Sequence, residues 1–247
     1  MVIRDRQMVE LGQSARGAFE ERLLSHIQQY FPVHWREVGP ERLREVIRLG
    51  MANAANYELQ TQREIYLFVS LMLYFGSSFD TDFQLPWAAE GLKNPAEPDP
   101  FARIEATYNE GLNYLSRVAG PEGVNTGMAI DRFIKSLERM STSGEALPGM
   151  LARIYPQKYA ELNPAQVSQL AQQGPTCGFD SPAVAREGAL LCGALAALLG
   201  CGFAKDPQFL WAQDVLQEPD PQQRLTALKE TAPAKLRPWF STKEPVR

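Results

Sequence analysis

The chain has 247 residues, 45% of them hydrophobic and 22% charged, enough for a packed core in one large domain or two of ordinary size. A net charge of −4 offers no electrostatic grip on nucleic acid. The N-terminus MVIRDRQMVELGQ is charged throughout and lacks the apolar core of a secretory signal, so a cytoplasmic location is expected.

In chain order, the first predicted element is an amphipathic helix over about 7–30, where Leu11, Ala15, Phe19, Leu23 and Ile27 recur at fourfold spacing. Helices follow at about 41–55, 60–75, 83–92 and 100–118. Gly76 is expected to end the helix of 60–75 in a left-handed conformation, and Asp82 and Asp99 to cap the two helices after it. Phe79 and Trp87 read as apolar anchors for the helix of 83–92. Tyr57, Tyr66, Phe68, Tyr74 and Phe75 gather on or beside the helix of 60–75, with Tyr108 and Tyr114 on a later one.

Residues 120–149 read as a Gly/Ser-flanked connector with a short amphipathic helix in MAIDRFIKSLERM, free to pack on either side or on a partner. Beyond it, Asn163 caps a helix that opens at Pro164 and stops at Gly174. Ser181 and Pro182 open an apolar helix ending at Gly200, and Asp206–Pro207 and Asp220–Pro221 open two more. The run GALLCGALAALLGCGFA (188–204) has 17 residues and four glycines, short for a membrane span, and reads as a buried helix. The tail KLRPWFSTKEPVR exposes Trp239 and Phe240 between basic residues. No long segment alternates apolar and polar residues, so the fold class is all-α.

Two stretches match at a fixed distance. In YFGSSFDTDFQLPW (74–87), Gly76, Phe79, Asp82, Gln84 and Trp87 recur 124 residues later as Gly200, Phe203, Asp206, Gln208 and Trp211 of LLGCGFAKDPQFLW. The same offset pairs residues 31–92 with 155–216 without a gap. After a slip of three residues, EPDPFARIEA (97–106) matches EPDPQQRLTA (218–227). The expectation is therefore a helical bundle of two degenerate tandem repeats about a pseudo-two-fold, with an extra N-terminal helix. Its parts are residues 1–119, a connector at 120–149, and 150–247, sharing one core. The helices 60–75 and 182–199 are expected to bury against each other. The eight matched residues Phe79, Asp82, Gln84, Trp87, Phe203, Asp206, Gln208 and Trp211 are chiefly architectural and are also the candidate interface.

Residues that carry chemistry are sparse. Asp80 and Asp82 form a carboxylate pair, but the second copy replaces Asp80 with Ala204, and neither the mid-loop glycine nor the terminal glutamate of a calcium loop is present. The two histidines, His26 and His34, have no metal-ligand spacing with any cysteine, so no metal site is expected. Cys177, Cys192 and Cys201 read as reduced thiols, the latter two inert in an apolar setting. There is no GxSxG, GxGxxG or phosphate-binding glycine loop. No catalytic residue and no cofactor are assigned.

The stretch YLFVSLMLYFGSSFDTDFQLPWA, with its preceding long helix and FP turn, resembles a family of small uncharacterised bacterial proteins encoded among type VI secretion genes for spike proteins, PAAR-tip proteins, effectors and adaptors. The likeness is best over residues 1–100 and rests on Phe79, Asp82, Gln84, Pro86 and Trp87. In the second copy Pro86 becomes Leu210. The resemblance implies a non-enzymatic, cytoplasmic adaptor or co-chaperone that binds a protein partner and helps load an effector onto the spike. Two further readings stand beside it: an immunity protein that neutralises a cognate toxin, and a hydrolase using Asp80 and Asp82.

Overall fold

In this computed structural model the backbone is described for residues 5–240 and the side chains for 16–239. The described residues form fourteen α-helices and no strand, so the chain is all-α. The first six are α1 (Asp5–Tyr30), α2 (Pro32–Val38), α3 (Pro40–Ala55), α4 (Gln62–Phe75), α5 (Pro86–Leu92) and α6 (Pro100–Val118). Then come α7 (Val124–Leu137), α8 (Leu147–Ile154), α9 (Pro156–Glu161), α10 (Pro164–Ala171), α11 (Gln173–Thr176) and α12 (Ala185–Leu199). The last two are α13 (Leu210–Leu216) and α14 (Pro221–Phe240), and short 3₁₀ turns occupy Phe79–Thr81, Phe203–Lys205 and Pro207–Phe209.

Local chemistry explains most boundaries. Proline occupies the first positions of α2, α3, α5, α6, α9 and α10, where its missing N–H leaves no orphan. Thr61 and Glu64 form a capping box at the start of α4, as Asn163 and Gln166 do for α10. Asp99 accepts from the N–H groups of Phe101 and Ala102 at the start of α6. Phe19, Leu23 and Ile27 of α1 are buried; the side chains of Leu11, Ala15 and Phe240 lie outside those described.

Four expectations are corrected. Asp82 does not open a helix at 83; α5 starts at Pro86 without a side-chain cap. The apolar helix α12 starts at Ala185, because the Ser181 carbonyl first closes a turn by accepting from Val184 and Ala185. Gly174 lies inside α11 and does not stop α10. A Cβ there would stand 2.9 Å from the Ala189 Cα of α12, just as one at Gly50 would stand 2.6 Å from Val69 of α4, so both glycines serve close helix approach. Trp239 is half-buried, its ring 4.8 Å from His34 and 5.6 Å from Phe209.

The connector is part of the fold. Ala129, Ile130, Phe133 and Leu137 of α7 are buried, and the helix packs on α14, α8 and α12. α4 packs on α3 and α6, and α12 on α8, α10 and α11. These two apolar helices therefore do not bury their sides against each other, because their own neighbours already cover them. They meet at their C-terminal ends. Buried apolar residues from Phe19 to Leu236 make one contiguous core.

Candidate functional site

The meeting point of α4 and α12 is built from the matched motif residues. Both helices end on glycines with positive φ, Gly76 (φ 93°, ψ 156°) and Gly200 (φ 95°, ψ 153°). This extended region differs from the left-handed conformation expected at Gly76 and is open essentially to glycine alone. Each glycine is pressed against the last carbonyl of the other helix. A Cβ on Gly76 would stand 2.8 Å from the Leu199 oxygen, and one on Gly200 would stand 2.7 Å from the Phe75 oxygen.

Hydrogen bonds cross the same point in both directions. Asp206 accepts from the Ser77 N–H at 2.6 Å and the Ser77 hydroxyl at 2.6 Å. Asp82 accepts from the Cys201 N–H at 2.8 Å. Gln208 Nε2 donates to the Met72 carbonyl at 3.0 Å, and Gln84 Nε2 to the Ala196 carbonyl at 2.9 Å. Each aspartate also holds its own turn, Asp82 by Gln84 N–H and Asp206 by Gln208 N–H, both at 2.9 Å. Apart from the bonds of the Ser77 hydroxyl, whose place is taken by Cys201, each of these hydrogen bonds has a counterpart 124 residues away. Even the unpartnered atoms are paired, with Gln84 Oε1 matching Gln208 Oε1 and Trp87 Nε1 matching Trp211 Nε1.

These positions are inside the molecule. Phe79 and Phe203 are fully buried, and Asp82, Gln84, Asp206 and Gln208 are nearly so. Trp87 and Trp211 are half-buried, and the Trp87 ring packs on Phe75 and Tyr114. The candidate interface thus faces inward and joins the chain to itself. Burial pushes the Asp206 carboxyl above the usual range, with its Ser77 and Gln208 donors pulling the other way. The Cys201 thiol rises to about 12 through burial and the adjacent Asp82 carboxylate. Asp80 is turned to other work, accepting from the Tyr57 hydroxyl at 2.9 Å.

The sequence reading passed over two arginines in the EPDP match. Arg103 donates to the Glu97 carbonyl at 3.2 Å and the Tyr57 carbonyl at 3.0 Å. Arg224 donates to the Glu218 carbonyl at 2.7 Å and the Gly178 carbonyl at 2.7 Å. The signal was present, since both sit at the same place in EPDP–x–x–Arg. A shared arginine among shared prolines marks a carbonyl clamp.

Beside the clasp lies a cleft of about 640 Å³. The α1–α2 turn, the end of α4, α6, Tyr155, Lys158, the end of α12, Phe209 and Trp239 line it. Tyr30, Tyr74 and Leu112 stand exposed among its lining residues. His34 reaches the Leu73 carbonyl at 2.8 Å, and burial pushes its imidazole down to about 4, so the ring is neutral at pH 7. Of the predicted aromatics, Tyr57, Phe68 and Tyr114 are core, and Tyr66, Phe75 and Tyr108 pack half-buried on it. Among the described residues there is no group of three or more His, Cys, Asp or Glu fit to hold a metal ion, and no helix long and apolar enough to cross a membrane. Cys177, Cys192 and Cys201 are unbridged.

No protein-family model, curated protein or solved structure matches the chain.

Proposed function

We propose that the protein is a non-catalytic adaptor that binds another protein, built from two tandem-related halves packed about an approximate two-fold axis. The paired contacts of the clasp and the two arginine clamps support the duplication. The motif is an internal joint in this reading, so partner binding falls to another surface. One observation carries that assignment. Tyr30 (61% exposed), Tyr74 and Leu112 stand exposed together at the mouth of the cleft, and Val124 and Met128 stand exposed on the first turns of α7, just beyond Gly123 of the cleft lining. Large apolar and tyrosine side chains rimming a concavity are the composition of a protein-binding patch. Loading a type VI secretion effector onto the spike is the role that the sequence resemblance adds.

The test is affinity capture of the tagged protein from its native host, read by mass spectrometry, beside a Leu112→Glu variant with an unchanged melting temperature. Stoichiometric recovery of an effector or another adaptor, lost in the variant, is the expected result. Recovery of a toxin whose activity is blocked on binding replaces the loading role with immunity. Recovery of no stoichiometric partner overturns the adaptor reading and returns attention to a hydrolytic role for Asp80 and Asp82.

A further inference from the structure

The cleft holds one charged group that the clasp does not use. Lys158, on α9, is only 8% exposed. Its ammonium has no carboxylate of the described residues within 4.0 Å. It rests over the Tyr114 ring, 5.2 Å from the centroid, and the Tyr114 hydroxyl is itself buried without a partner. The Lys158 ammonium and the unpartnered Tyr114 hydroxyl thus share one wall of the cleft. The position 124 residues earlier is resolved differently, since His34 is neutral and bonded to a carbonyl. The acid in the lining, Asp82, already accepts from Cys201 N–H, Gln84 N–H and Gln84 Nε2, the last at 3.2 Å. The rest of the lining is largely apolar, including Phe31, Leu115, Val118 and Leu198.

A buried ammonium without a direct partner is costly, and a carboxylate brought to it offsets that cost. A space of this size with an apolar lining and a few convergent polar groups is the usual form of a small-ligand site. We propose that the cleft binds an amphipathic monocarboxylic acid, its carboxylate received by Lys158 with the Tyr114 hydroxyl as the second donor on that wall, and its hydrocarbon body lying on the apolar lining. Burial lowers the Lys158 ammonium to about 8, opposed by Asp82, by Glu161 (itself paired with Arg117) and by Cys201, so the group remains mostly charged at pH 7 and a bound anion would hold it so.

This inference stands apart from the adaptor reading, since it uses Lys158 and Tyr114 in the wall of the cleft and not its exposed rim. Its test is calorimetric titration of the full chain at pH 7 with decanoate, and with decanol as the neutral analogue. The expected result is saturable decanoate binding at least tenfold tighter than decanol. Lys158→Met should abolish that preference, and Lys158→Arg should keep part of it. Affinity for decanoate should fall as pH rises through about 8. The proposal is overturned if decanoate does not bind, if it binds no more tightly than decanol, or if the preference survives in Lys158→Met. Should Lys158→Met fail to fold, the decanoate–decanol comparison and the pH profile of the parent chain decide it. A Met128→Glu variant, changed on the exposed patch outside the cleft lining, that loses its protein partner yet binds decanoate normally separates the two readings.

Discussion

At the scale of single residues, the clasp turns on groups whose roles differ from those of ordinary caps. Removing an exposed cap costs about 1 kcal/mol. Asp206→Ala instead leaves buried donors on Ser77 and Gln208 without acceptors and should cost roughly 3–5 kcal/mol in denaturant unfolding. A loss near 1 kcal/mol would reduce it to a turn residue. Gly76→Ala meets both a glycine-only conformation and the Leu199 carbonyl, and should lose at least about 2 kcal/mol. Gly17→Ala is the control, because Gly17 is exposed within α1 and open around its Cβ position; it should gain about 0.5–1 kcal/mol. His34 sets a pH dependence. The unfolded chain takes up its proton near 6.5 and the folded chain only near 4, so between these values the unfolded state binds the extra proton. Stability therefore falls as pH drops through that window, by about 3 kcal/mol from this group. Asp206, raised by burial, works in the opposite direction, losing stability as pH rises through its own titration. Melting temperature followed from pH 7 to 4 should fall less steeply in His34→Gln, which keeps a donor for the Leu73 carbonyl.

At the scale of elements, most of the helical framework was legible in the chain. Proline at a first helical position and Asn or Thr just before it act through the nearest few residues, and Pro40, Pro100, Pro164 and Pro221 each start the helix expected of them. Thr61→Ala, which breaks the capping box of α4, should cost about 1 kcal/mol by thermal melt. Elements fixed by distant packing were misread. Gly174 carries the mark of a helix stop but belongs to the contact between α11 and α12, and Asp82 carries the mark of a cap but reaches across to Cys201. Sequence spacing records neither distance. Even so, the fixed offset of Gly, Asp and Gln in both stretches singled out residues that meet there.

At the scale of the whole molecule, the core is contiguous and the clasp crosses it, while α6 packs on α9 and α14 on α2. Calorimetric unfolding should therefore show one two-state transition, with van't Hoff and calorimetric enthalpies equal. Two separated transitions would mean that the halves fold independently. The sequence by itself determined the all-α class, most of the helix starts and the matched positions, because propensity, capping and periodicity are local or can be counted along the chain. Only the tertiary structure decided that the matched motif faces inward, that α4 and α12 meet at their ends, and that Lys158 stands in the wall of a cleft. Those depend on which surfaces come together across more than a hundred residues, and on which buried polar groups then find a partner.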